Sequence, residues 1–391
     1  MAGVNFLNFL LLLFVGTVAN SMAVSFMGYY LIEGLEQEPW TISAYAGLSC
    51  CIVILANRFF ARQMDRGANP FLMVGIAVSG FAMASVALSM SPTFWTVVTF
   101  GAIGFGVGSS AMSTKFALGG IIADRREVKR STLNAYMRAT TSTSWMIGPA
   151  LSFTTADQWG PSVVFDVFCV VALIWLGLWW WATPRDAASK PQTTTPSRAK
   201  KPKSKHEMQV AVVFVFCLTL AHSLTFSALP IFFVKEVGLP GYAPGTAFSL
   251  KTLVELFAIL SSPFLIARFG LRISLLGTAM LAVVSILVLA VVQSYPHMLF
   301  GAALEGLYYG LFSTLAISFV QSLSKDRPAY ATAVYWNTVM ATLVIAGPLA
   351  GLIAQVFDFR TVIYAASGFA LASFLILATS SQRRCLNLKT G

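Results

Sequence analysis

Twelve stretches of about 20 mostly apolar residues, each long enough to cross a hydrocarbon layer as a helix, follow one another along this chain. Their centres fall near Val15, Ser49, Ser79, Gly104, Ser144, Ala172, Leu220, Glu255, Val284, Leu311, Thr342 and Ala370. Such a pattern predicts an all-α membrane protein of twelve transmembrane helices. Composition agrees: 57% of the 391 residues are hydrophobic and 10% are charged, against about 25% charged in soluble domains. The first apolar run, Val4 to Tyr30, is too long for the core of a signal peptide and has no basic segment before it. It reads as the first span.

A net charge of +11 could suit a nucleic-acid partner, but its distribution follows the membrane instead. With the N-terminus in the cytoplasm, 21 of the 26 Lys and Arg residues fall in inner loops, the central linker or the C-terminal tail. Only Lys235 and Arg360 fall outside, and Lys115, Arg138 and Lys251 lie in spans. This is the positive-inside pattern, which predicts a multi-pass protein with both termini cytoplasmic and no nucleic-acid partner. The lipid bilayer is the partner that the composition requires.

The segment PRDAASKPQTTTPSRAKKPKSKHE (184–207) is polar, Pro-rich and basic and cannot bury a core. It reads as a cytoplasmic linker between two six-helix bundles, 1–183 and 208–391. The halves echo one another. In the fifth span Arg138 precedes Gly148-Pro149 by ten residues, and in the eleventh Asn337 precedes Gly347-Pro348 by ten. The loop ARQMDRG after the second span has a counterpart, LIARFGLR, after the eighth. Repeats of this kind mark transporters built around a central site. A Gly-Pro pair also bends a helix and permits close packing.

Together these features resemble the major facilitator superfamily. Asp65 and Arg66 of the stretch MDRG match the Asp-Arg pair of its inner-loop signature, and the two Gly-Pro pairs resemble its fifth-span antiporter signature. A narrower similarity is to the bacterial sugar efflux transporters. It rests on YMRATTSTSWMIGPALSF in the fifth span, on VGLP, GTAFSLKTLVEL and ARFGLR around the eighth, and on WNTVMATLVIAGPLAGLIAQ in the eleventh. The resemblance implies a twelve-helix fold in a bacterial inner membrane, acting as a monomer that exports a sugar-like solute in exchange for protons. It also implies gating roles for Asp65, Arg66, Gly148, Pro149, Gly347 and Pro348. Drug antiporters of the superfamily carry an acid in the first span and an Arg early in the fourth. Here the first span has Asn20 and Ser21, and the cation of the fourth is Lys115, near its inner end. Multidrug or metabolite efflux is therefore the alternative, and a transport-inactive membrane receptor is a third reading.

Charges inside spans are expensive and mark function or a paired partner. Arg138 and Glu255 are not near enough to a surface to escape easily, although Arg138, two turns from the cytoplasmic end, can alternatively snorkel to inner-leaflet headgroups. Glu305 lies in the tenth span, and Lys251 stands one turn from Glu255 as a possible i,i+4 partner. A buried carboxylate with a nearby cation can take up and release a proton as its hydration changes, which assigns proton coupling to Glu255, Lys251, Glu305 and Arg138. Lys115 is long enough to snorkel to the inner surface. Sugar hydroxyls need planar hydrogen-bonding groups, and sugar rings need aromatic faces. Asn20, Asn134, Arg138, Trp145, His222, Tyr308, Trp336 and Asn337 supply them, with Tyr309 and Tyr335 beside them. Arg138 and Asn337 hold equivalent places in the two halves and are expected to face one cavity. His222 reads equally as a hydrogen-bonded packing residue. No metal-ligand spacing, nucleotide loop or hydrolase triad is present, so the sequence predicts neither a cofactor, a metal nor an enzyme.

Overall fold

The computed structural model describes residues 6–110, 114, 115, 118, 130–183, 205–323 and 328–380. Every regular element among them is helical. Contacts divide the chain into two units, Met1–Pro196 and Ser197–Gly391. The first holds α1 (Phe6–Tyr29), α2 (Trp40–Asp65), α3 (Pro70–Met90), α4 (Phe94–Ser109), α5 (Arg130–Trp159) and α6 (Val164–Ala182). The second holds α7 (Lys205–Ile231), α8 (Ala243–Phe269), α9 (Leu271–Ala290), α10 (Tyr295–Ser322), α11 (Pro328–Val356) and α12 (Phe359–Thr379). Helix α7 begins three residues inside the segment read as linker.

Ten of these helices are long and apolar enough to span a membrane. Helix α4 is shorter over its described residues. Helix α5 has the length, but its hydroxyl run Thr140–Ser144 lowers its hydropathy.

The repeat seen in the sequence governs the packing. In the first unit α1 packs on α5 and α6, α3 on α4 and α6, and α2 on α4. In the second, α7 packs on α11 and α12, α9 on α10 and α12, and α8 on α10. The correspondence extends to backbone detail. Helix α1 ends in the π-turn Tyr30–Gly34 and α7 in the π-turn Phe232–Glu236. In one, Leu35 N–H donates to Tyr30 O and Gln37 N–H to Leu31 O, both at 3.0 Å. In the other, Val237 N–H donates to Phe232 O at 3.0 Å and Leu239 N–H to Phe233 O at 2.9 Å. The chain then turns through a left-handed residue, Gly238 (φ 74°) in the second copy and Glu36 (φ 51°) in the first.

The matched loops after α2 and α8 also share a device. Gly67 (φ 86°) and Gly270 (φ 80°) each end the helix in the left-handed region. Asn69 then caps α3 by accepting from Phe71 N–H at 2.9 Å. In the second copy Arg272 donates to the carbonyls of Leu377 at 3.0 Å and Ser380 at 2.6 Å, closing the C-terminus of α12.

Each unit has an aromatic interior. In the first, Phe81 meets Trp175 edge to face and stacks on Phe168, which meets Phe105 edge to face. Lys115 joins this core, which corrects the snorkelling expectation. Its side chain is fully buried, its ammonium lies 4.8 Å from the centroid of the Trp175 ring, and it has no hydrogen-bond partner among the described residues. Gly16 makes room for it: a Cβ there would sit 2.6 Å from Lys115 Nζ and 2.6 Å from the Trp175 ring. The sequence placed Lys115 near the end of its span, but helix rotation aims the side chain into the bundle rather than along the helix to the surface.

Candidate functional site

In the second unit three helices bring ionisable groups together. Helix α10 carries Gly306 and Gly310 one turn apart, and both pack on the backbone of α8. A Cβ at Gly306 would overlap the Lys251 carbonyl oxygen, and one at Gly310 would lie 2.5 Å from that of Glu255. Small residues at this spacing let transmembrane helices approach closely. The approach sets Glu305, next to Gly306, against Lys251. The Lys251 ammonium lies 3.2 Å from Glu305 Oε1, with both side chains almost wholly buried.

The i,i+4 pair between Lys251 and Glu255 therefore does not form. Glu255 is half-buried and has no ion pair among the described residues. The cation is held by the neighbouring helix because the two glycines bring that helix's carboxylate closer than the next turn of α8.

His222 of α7 completes the group. Lys251 Nζ lies 3.2 Å from His222 Nε2, and His222 Nδ1 lies 3.1 Å from the Tyr308 hydroxyl and 3.4 Å from Glu305 Oε1. An ammonium has only donors, so Nε2 accepts and the proton of the neutral ring is on Nδ1. The ring is fixed in place by Tyr309, which stacks on it at 3.6 Å between centroids and 17° between planes. The ammonium also sits over the rings of Phe226 and Tyr309, at 5.4 and 5.2 Å. A desolvated cation over aromatic faces gains about 2 kcal/mol. Tyr308 is fully buried and commits its hydroxyl to His222.

The residues assigned to the solute differ in their exposure. Asn20 and Trp145 are half-buried, Trp336 and Asn337 are exposed, and Tyr335 is buried. The side chains of Asn134, Arg138 and Asp65 lie outside the described residues. Gly148 and Pro149 are buried within an uninterrupted α5, and Pro348 sits within α11. Gly148 rests on Ser21 of α1, where a Cβ would overlap the serine hydroxyl. The Ser21 hydroxyl in turn lies 3.2 Å from the carbonyl of Ser144.

A model of the Major Facilitator Superfamily matches residues 9–250 and 211–384. This chain belongs to the Major Facilitator Superfamily. Among curated members, sugar efflux transporter B of Salmonella typhimurium is 25% identical over 374 residues, covering 95% of this chain and 94% of that protein. Sugar efflux transporter A of Dickeya chrysanthemi is 23% identical over 93% of this chain and 91% of its own length. Among solved structures, the nucleoside transporter NupG matches with a TM-score of 0.78 at 11% identity, covering 96% of this chain and 99% of NupG. At that identity the likeness shows the shared fold alone.

Within this superfamily member, His222 as a bridge between Lys251 and Glu305 was the feature least visible in the sequence. A lone histidine in a span carries no periodic signal. The stretch EGLYYG did carry one: glycines four apart beside a glutamate announce a close helix contact at an acid.

Proposed function

We propose that the chain exports sugars or sugar-like small solutes across a bacterial inner membrane by alternating access, in exchange for protons. The observation that carries this reading is the buried cluster of His222, Lys251 and Glu305 on α7, α8 and α10. Ionisable groups inside membrane helices are costly, pair with one another, and commonly mark ion or substrate pathways. The solute class rests on relatives named as sugar efflux transporters, which align over nearly the whole chain.

In this reading the charged cluster of Glu255, Glu305, Lys251 and His222, together with Arg138, handles the proton. Arg138, Asn337, Asn134, Asn20, Trp145 and Trp336 contact the solute, whereas His222 and Tyr308, assigned to the solute from the sequence, belong in this reading to the charged cluster that holds them. Asp65, Arg66 and the pairs Gly148-Pro149 and Gly347-Pro348 serve the conformational change. The bundles 1–183 and 208–391 move as a monomer about the linker 184–207, with both termini cytoplasmic.

Reconstitution into liposomes tests this. Preloaded vesicles should exchange radiolabelled mono- or disaccharides, and an imposed pH gradient should drive accumulation against the solute gradient. Exchange of amphiphilic cations but not of sugars would transfer the protein to the drug-efflux reading. Solute binding without exchange would identify a receptor.

A further inference from the structure

Four ionisable groups meet in α7, α8 and α10, yet the observed pairing leaves one of them out. Lys251 serves Glu305 and His222 together, and Glu255 stands on the same helix as Lys251, one turn on, with no ion pair among the described residues. With His222 neutral the group has one cation for two carboxylates. One added proton balances the charge.

The geometry points to His222 as the place where that proton binds and to Lys251 as the group it displaces. Nε2 accepts from the Lys251 ammonium, so a proton arriving there removes the acceptor and sets two cations against each other. Nδ1 already lies 3.4 Å from Glu305 Oε1, the same oxygen that Lys251 contacts at 3.2 Å. The imidazolium can take over Glu305 with little movement, since Tyr309 keeps the ring plane fixed. Lys251 is then free to turn to Glu255 at i+4 on its own helix. The proton comes from water and forms one N–H bond at Nε2. Lys251 keeps its three protons throughout. Among these four groups, the pairing passes from Lys251–Glu305 alone to His222–Glu305 and Lys251–Glu255.

Among the described residues, the other titratable groups near the cluster are Tyr308 and Tyr309 on α10 and Tyr335 on α11, beside Tyr309. They are hydroxyls that can follow either arrangement by rotating a proton. The switch would also loosen α8 from α10 near Gly306 and Gly310, because it breaks the Lys251–Glu305 tie there and leaves the Tyr295–Thr246 hydrogen bond between the two helices.

This inference rests on the proton-exchange reading, but its test does not require transport. The chain has three histidines, His206, His222 and His297. In protein labelled with 15N-histidine, the signal lost in His222→Gln identifies His222. It should show the Nδ1–H neutral tautomer at high pH and become doubly protonated within the range from about pH 5 to 8. Lys251→Met removes the competing cation and should move that transition to higher pH. Glu255→Gln removes the refuge of Lys251 and should move it to lower pH. A His222 that stays neutral across that range, or whose transition ignores both substitutions, overturns the proposal and leaves the proton to a carboxylate. In liposomes, His222→Gln should lose most accumulation driven by a pH gradient. Full gradient-driven accumulation in that variant would also overturn it. If the wild type exchanges no sugar while His222 titrates as described, the solute assignment fails and the switch stands.

Discussion

Gly148 of α5 packs on Ser21 of α1 with no space for a side chain between them. The carbonyl of Val18 and the amide of Met22 lie immediately behind, at 3.0 and 3.2 Å from where a Cβ would be. The first Gly-Pro pair thus begins with a tight helix contact, whatever Pro149 adds to bending. Gly148→Ala must push α1 and α5 apart and is expected to cost about 1–3 kcal/mol. Gly177 in α6 has nothing within 4 Å of an added Cβ, so Gly177→Ala should be neutral or stabilise by up to ~1 kcal/mol. Thermal unfolding of both variants in detergent makes the comparison. Equal melting temperatures would contradict the contact.

Lys115 is buried against Trp175 and Gly16 without a hydrogen-bond partner among the described residues. A buried polar group without a partner costs about 1–3 kcal/mol in proteins. Lys115→Met keeps the stem's volume and removes the amine, so it should raise the melting temperature by several degrees. A fall instead would show that the ammonium has an acidic partner.

The two π-turns provide a comparison within one molecule. Glu36 and Gly238 occupy the same left-handed position in the two copies, at φ 51° and 74°. A side chain there costs roughly 1–2 kcal/mol. Glu36→Gly should therefore stabilise and Gly238→Ala should destabilise, each by about 1 kcal/mol, in chemical or thermal unfolding. Opposite signs in the two copies are the expected result. The same sign in both would mean that neighbouring contacts, rather than φ, set the energy.

Arg138 is proposed to contact the solute from the first unit. Lysine keeps its charge but loses the planar fork of donors. Arg138→Lys should retain exchange with about tenfold weaker apparent affinity, the loss of roughly one hydrogen bond of ~1.4 kcal/mol. Arg138→Ala should abolish exchange. Unaltered exchange by Arg138→Ala would remove this residue from the solute site.

Much of the architecture is legible in the sequence because it is local. The apolar runs are long enough to fix the helices, and Gly67 and Gly270, Gly148-Pro149 and Gly347-Pro348 mark the repeat by spacing alone. Even the presence of charged groups in spans five, eight and ten can be read off, since a charge in an apolar run is conspicuous. What spacing could not supply was the partner of each charge. The i+4 rule offered Glu255 to Lys251, whereas the fold gives it Glu305 and His222. Position along the span offered Lys115 a route to the surface, whereas the fold turns it onto Trp175. Periodicity describes one helix at a time. Which faces meet, and at what height, depends on how closely the backbones approach, and here that is decided by Gly306 and Gly310 against α8 and by Gly16 beside Lys115.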